Sequence, residues 1–336
     1  MKKHSCQSGF FSAFALAALL LQGMVLTQSL KAGGMGEASQ KAFPSKPIQL
    51  VVPLKPGGDT DQNGRIFARY LSEVLGVTVV VVNIDGASGT VGTKNVVDAK
   101  PDGYTALFFH TESLLPKLAG MVDYDLFDLK MVGNILSDNT TILATHKNSG
   151  FKTLREFTAK AKSDSKKMQF GMATGAYPHL IGIALRQSAG VDINIVDVGG
   201  NADKTVALLG HKIEMINTQY GLTQDYFKSG DFICLGLLSE NRNPLLSDIP
   251  TVKEQGYNMV FNKSFFMALP KNTPDEIRNT LGAATKKVCD NPAFKEEMAK
   301  YFIEVDYKDP VAADEYWKKV SGDFESFGPA LKAAVK

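Results

Sequence analysis

From Ile48 onward the chain alternates short β-branched apolar runs with stretches of helical period, and that alternation restricts it to an α/β architecture with largely parallel strands. Apolar runs at 48–52 and 77–82 flank a helical stretch over 62–75. A second helical stretch over 91–99, a Pro101-Asp102-Gly103 turn and a strand over 104–109 complete one lobe. The pattern then restarts, with helices expected over 154–161 and 178–189 and strands over 168–172, 193–198 and 213–217. The buried-looking run 232–238 returns the chain toward the first lobe. A short strand over 265–269 and three helices opening near Pro274, Pro292 and Pro310 finish it. Two α/β lobes are therefore expected, 44–142 with 240–336 and 143–239, joined by crossing strands that form a hinge.

The first residues obey a different rule. Lys2 and Lys3 precede an apolar run from Phe10 to Leu21, which Gln22 interrupts and a Gly-rich polar stretch follows. The run is short for a spanning helix and has the form of a cleaved export signal, expected over 1–32 and implying a periplasmic location. Cys6 precedes the apolar run, so it cannot become a lipid-modified first residue, and it leaves with the leader. Losing 1–32 removes three lysines and no acidic residue from a chain of formal charge +2, leaving −1, so nothing attracts nucleic acid globally. Cys234 and Cys289 then remain, in apolar surroundings that favour buried thiols over a bridge. The Lys/Asp/Ser cluster over 160–167 reads as a solvated helix end.

The most informative segment is PLKPGGDTD, Pro53 to Asp61, between the strand LVV and an amphipathic helix. Gly57 and Gly58 allow the backbone to approach a ligand, the amides of a helix start favour an anion, and Asp59, Thr60 or Asp61 can cap the helix. Without a following Gly-Lys-Ser/Thr it is no phosphate-binding Walker loop. A similar construction recurs where the strand MQFGM runs into ATGAYPHLIG. There Thr174, Tyr177 and His179 offer side-chain hydrogen bonds to a carboxylate, and Gly175 and Ala176 offer amides. His110, Thr111 and Glu112 follow one strand end and Asn217 lies at another, all placed to face a crevice between lobes.

PLKPGGDTD, NIDGASGTVG, KPDGYTAL, VGGNADKTVALLGHKIEM and DIPTVKEQGY follow one another in the order of one receptor group. Over nearly all of 44–324 the chain resembles the Bug-type substrate-binding proteins of tripartite tricarboxylate transporters. The resemblance implies a type II periplasmic-binding-protein (Venus flytrap) fold, a ligand held between the lobes, and delivery to membrane permease subunits; no cofactor is expected. Carried over by position, the family's first binding loop falls on Leu54 to Asp61 and its second on Thr174 to His179, with Gly199 and Gly200 near the cleft wall. The chain departs from the family pattern at Lys55, where an apolar residue or Pro is usual, and at Phe265, which stands for a usual Trp. It departs again at Gly175-Ala176-Tyr177-Pro178, where a Gly-Ser pair normally precedes the His.

These readings converge on a monomeric solute receptor for a small carboxylate, with no catalytic residues and no metal. A nucleotide-dependent enzyme is the rival suggested by Gly86, Gly89 and Gly92, but their GxxGxxG spacing is not that of a dinucleotide fingerprint, and a turn into the next helix accounts for them. No Gly-x-Ser-x-Gly elbow or Cys/His arrangement recommends nucleophilic catalysis. A ligand sensor feeding a two-component system is compatible with the same residues.

Overall fold

The computed structural model describes residues 43–164, 168–325 and 327–334; the expected leader and Cys6 lie outside the described residues, as do Lys166 and Lys167 of the charged cluster. The first half-lobe comprises β1 (Ile48–Val52), α1 (Asp59–Leu75), β2 (Val79–Asn83), α2 (Thr90–Val97), β3 (Thr105–His110), the short α3 (Leu115–Leu118) and β4 (Leu129–Asp138). The second lobe comprises β5 (Thr141–His146), α4 (Leu154–Ser163), β6 (Gln169–Met172), α5 (Tyr177–Ala189), β7 (Asn194–Asp197), α6 (Asn201–Leu209), β8 (Met215–Gln219), α7 (Tyr220–Lys228) and β9 (Phe232–Leu237). The chain returns through β10 (Lys263–Pro270), α8 (Asp275–Asp290), α9 (Pro292–Ala299), β11 (Glu304–Lys308), α10 (Pro310–Glu325) and α11 (Gly328–Ala334).

Two sheets result, a six-stranded one in the order β11-β4-β10-β3-β1-β2 and a five-stranded one in the order β7-β6-β8-β5-β9. In the first sheet β1, β2 and β3 run parallel and β10 lies antiparallel between β3 and β4; in the second, β6, β7 and β8 run parallel and β5 lies antiparallel between β8 and β9. The chain crosses between the sheets twice, from Asp138 to Thr141 and from Leu237 to Lys263. The first crossing is pinned by the Asp138 carboxylate, which accepts from the Thr140 amide at 2.8 Å and the Thr140 hydroxyl at 2.6 Å.

Local chemistry explains the element ends. Helix α1 stops at Gly76, whose left-handed φ of 68° lets its N–H reach the Ser72 carbonyl. Thr153 and Glu156 form a reciprocal capping box at the start of α4. On the inner face of α1, Phe67 stacks on Phe108 at 5.7 Å, and Phe108 stacks on Phe265 of β10 at 5.8 Å. This file of rings forms the centre of the first core. The second lobe buries Leu154, Phe157, Phe170, Leu180 and Leu185 around Met215. Trp317 of α10 lies buried edge-on against Phe266, on the opposite face of the first sheet. Cys234 and Cys289 are free thiols in different cores, and burial pushes both up to about 12.

The Gly86, Gly89 and Gly92 series packs α2 against the first loop. A Cβ at Gly92 would lie 2.4 Å from the Ile84 carbonyl oxygen and 2.7 Å from the Pro53 Cα, both backbone atoms with nowhere to move. Gly92→Ala is expected to destabilise the protein by about 2–3 kcal/mol through overpacking, read as a lower urea midpoint; an unchanged midpoint contradicts this account of the glycine.

Candidate functional site

A cavity of about 470 Å³ lies between the two sheets, and both lobes supply its wall. Three helices begin on it: α1 at Gly58, Asp59 and Thr60, α5 at Ala176 and Pro178, and α6 at Gly200 and Asn201. The residues preceding these helices are Gly58, Ala176 and Gly200, and no side chain caps α1 or α5. A forgone cap costs a helix a few tenths of a kcal/mol at Gly and about 1 kcal/mol at Ala. At the start of α5 the Tyr177 amide donates to Glu112, Pro178 has no N–H and the His179 amide returns to the Ala176 carbonyl, so the uncapped amides are those of α1. Each helix start carries a fractional positive charge, so the cavity is built to receive an anion.

The first loop is braced by Asp61, which does not cap α1 through its side chain. Its carboxylate accepts from the Gly57 amide, the Arg65 guanidinium and the Asn83 amide group, each at 3.0 Å. Burial acts to raise Asp61, but these donors outweigh it and hold the carboxyl below its ordinary range. Asp59 turns inward instead. It pairs with Lys263 at 2.7 Å, with side chains only 7% and 6% exposed, and accepts from Asn201 of the second lobe at 3.0 Å.

His110 ends β3 with its ring between Phe109 and Phe265, and its Nδ1 accepts from the Glu112 amide at 3.2 Å. Burial, then Lys263, hold this imidazole well below its usual range, so it is neutral. With Nδ1 accepting, the hydrogen-bond geometry puts the proton on Nε2. That atom is buried without a partner on a residue of the cavity wall, as is the Thr60 hydroxyl. An imidazole N–H and a hydroxyl thus lack partners near the start of α1. Glu112 also lines the cavity, and the Tyr177 amide at the start of α5 donates to it. Below the wall, Lys204 is fully buried and donates to the Asn217 carbonyl at 2.7 Å and to its side-chain oxygen at 3.0 Å. Burial, then Lys263, lower Lys204 to about 7.

The structure brings Leu54, Lys55, Gly58, Asp59, Thr60, His110, Ala176, Gly199 and Gly200 together on the cavity wall. The remaining expected residues sit behind it or beside it. Gly57 and Asp61 shape the first loop, and the Thr111 hydroxyl accepts from the Ser264 amide. The Thr174 carbonyl accepts from Ser88 across the cleft, and His179 Nδ1 accepts from the Gly175 amide, which fixes the second loop. The Tyr177 side chain packs on Phe261 and donates to the Asn262 carbonyl, so only its backbone faces the cavity side. Asn217 is held by Lys204, and Phe265 supports His110 from the core. Gly199 has φ 97°, and a Cβ there would lie 2.4 Å from the Asp203 carboxylate, so that turn requires glycine.

Residues that sequence reasoning passed over are Asp85, Ser88, Asn201, Asp203 and Lys263. Asn201 and Asp203 follow a Gly-Gly pair at a helix start, the same grammar that pointed to the first loop. Lys55 reaches Asp203 across the cleft at 3.4 Å, with both side chains largely in water.

Two sheets, two crossings and a cavity walled by helix starts from both lobes define a solute-binding clamp. The sequence profile described as the tripartite tricarboxylate transporter family receptor matches residues 64–324, so the chain belongs to that family of receptors, which is not a family of enzymes. It is 32% identical over 291 residues to the UPF0065 protein of the ttuE-ttuC' intergenic region of Agrobacterium vitis, covering 83% of each chain. Among solved structures, the periplasmic binding protein BugD superposes with a TM-score of 0.80 at 28% identity, covering 86% of this chain and 98% of its own. MatC of Rhodopseudomonas palustris, with bound malate, superposes with a TM-score of 0.79 at 22% identity, covering 85% of this chain and all of its own. The fold is the two-lobed α/β fold of type II periplasmic binding proteins.

Burial raises the Glu112 carboxyl to about 7 from its ordinary 4.5, against the opposing influence of Lys263 and the Tyr177 amide. A carboxyl raised by folding contributes stability that is present below its unfolded value and lost as pH rises through its folded one, here between 4.5 and about 7. Glu112→Gln keeps the acceptor and removes the titration. It is expected to exceed the native protein in unfolding free energy by about 3 kcal/mol at pH 8 and to match it near pH 4.5. Parallel denaturation curves, with one offset at both pH values, would place Glu112 in water instead.

Proposed function

We propose that the protein is a periplasmic solute receptor that closes its two lobes on a small carboxylate and delivers it to the membrane permease subunits of a tripartite tricarboxylate-type transporter. The observation that carries this reading is the convergence of three helix starts, drawn from both lobes, on a cavity lined by His110 and Thr60, whose Nε2 and hydroxyl are unpartnered. A carboxylate offers the acceptors that these groups lack. The ligand of the malate-bound structure that shares this fold is a molecule of that class. The Lys2, Lys3 and apolar pattern of the first residues supports export, and membership in the receptor family supports the permease partner.

The magnitudes are adequate. Three or so charge-assisted hydrogen bonds at ~1.5–3 kcal/mol each, with helix-start contributions of ~0.3–1, reach ~8 kcal/mol, which corresponds to micromolar affinity. A ligand favours the closed clamp only through contacts made with both lobes at once, so both loops must contribute.

A panel of mono-, di- and tricarboxylates, with nucleotides and neutral sugars as controls, is expected to yield at least one carboxylate that raises the melting temperature in a concentration-dependent way. A response to nucleotides alone sinks the reading. Gly58→Val puts a side chain into the cavity mouth where the unliganded fold has room, since the nearest atom to an added Cβ is the Lys55 oxygen at 3.9 Å. The expected result is a loss of tenfold or more in affinity, about 1.4 kcal/mol, with little change in the melting temperature of the free protein. Unchanged affinity removes the first loop from the site.

A further inference from the structure

Charges on the cavity wall do not suit a purely anionic ligand. Two lysines, Lys55 and Lys263, face four carboxylates, Asp59, Asp85, Glu112 and Asp203. Both lysines are already engaged, Lys263 with Asp59 at 2.7 Å and Lys55 with Asp203 at 3.4 Å. Glu112 is 4% exposed, and no ion pair to it occurs among the described residues. The groups facing it are Lys263 from β10, Asp59 from α1, the buried Lys204 from α6 and the Tyr177 amide from α5, with neutral His110 beside it on its own segment.

We infer that the cavity selects a ligand carrying a protonated amine beside its carboxylate, the amine seated on Glu112 and the carboxylate on Thr60, His110 and the start of α1; this rests on the receptor reading above. An ammonium brings three donors and a full positive charge to a desolvated carboxylate that has no countercharge in contact. A ligand bearing only carboxylates instead brings a like charge against Glu112, which then has to take up a proton or accept the repulsion. The donor side and the acceptor side of the cavity therefore ask for opposite charges on one small molecule. Because Glu112 titrates near 7 in the empty cavity, a cationic neighbour lowers its pKa and releases protons on binding, whereas an added anion draws protons in.

The test is isothermal titration with two pairs that differ only by an amino group, succinate against aspartate and adipate against 2-aminoadipate. For the native protein the amino member of at least one pair is expected to bind tenfold or more tightly than its partner, as a charge-assisted hydrogen bond to a buried group implies. Glu112→Gln is expected to shrink that preference to threefold or less. Repeating the native titration at pH 7 in buffers of different ionisation enthalpy is expected to show proton release, a readout independent of whether the variant folds. Equal or tighter binding of both amine-free acids, a preference that survives Glu112→Gln, or proton uptake with the amino acids overturns the inference and leaves the receptor reading standing. Failure of all four acids, and of the wider carboxylate panel, overturns both.

Discussion

The contact between Asp59 and Lys263 governs the site. Asp59 is the first residue of α1 and Lys263 the first of β10, the strand by which the chain re-enters the first sheet from the second lobe. A 2.7 Å pair with both side chains buried is costly to desolvate and persists only when its remaining valences are met. Asn201, from the other lobe, meets one of them by donating to the second Asp59 oxygen while also donating to Gln219. The first loop, the returning strand and the start of α6 are thereby fixed to one point. Burial raises the cost of charge on every group nearby, and the field of this pair then sorts them: Asp59 is held low, His110 is neutral, and Glu112 and Lys204 both titrate near 7.

Around that point the chain uses its carboxylates chiefly to shape loops. Asp61 holds the Gly57 amide, Asp197 accepts from the Thr174 and Gly199 amides, and Asp203 accepts from the Gly200 amide. Asp61 and Asp203 stand in the first turns of α1 and α6, where an acid favours the helix dipole. Turning Asp61 back onto the loop leaves Gly58 as a bare first position at the cavity. The same residue thus makes the first loop rigid and the start of α1 available.

The α/β grammar and the first loop were legible because each rests on local pattern. PLKPGGDTD sits between a strand and an amphipathic helix, and that placement points to an anion-favouring helix start, although none of Asp59, Thr60 and Asp61 caps it. Strands β4 and β5 were not read, because both are buried on nearly every residue and so show no alternation, and Gly133 and Asn134 interrupt the first. Tyr177 is expected on the ligand side as a hydrogen-bonding side chain of the second loop, and Phe265 through the family resemblance. Which way a side chain points, however, depends on the strand pleat and the helix phase, and these send Phe265 under His110 and Tyr177 toward Asn262. Lys263 gave no signal at all. A lysine ahead of an apolar run reads as a strand boundary, and only its partner 204 positions earlier in the chain makes it part of a site.

The contacts that span the cleft divide unequally. The Lys55–Asp203 pair has side chains 63% and 45% exposed, and such a pair contributes at most about 1 kcal/mol. The Ser88 hydroxyl to the Thr174 carbonyl, at 2.7 Å and also exposed, adds a contribution of similar size. Two cross-lobe bonds lie in buried surroundings: Asn201 to Asp59, which ends on a carboxylate already paired with Lys263, and the Tyr177 amide to Glu112. The entropy of ordering both faces opposes these terms. A clamp of that kind leaves the decision to whatever fills the cavity, because a ligand touching α1 and α5 together adds free energy that neither lobe supplies to the other.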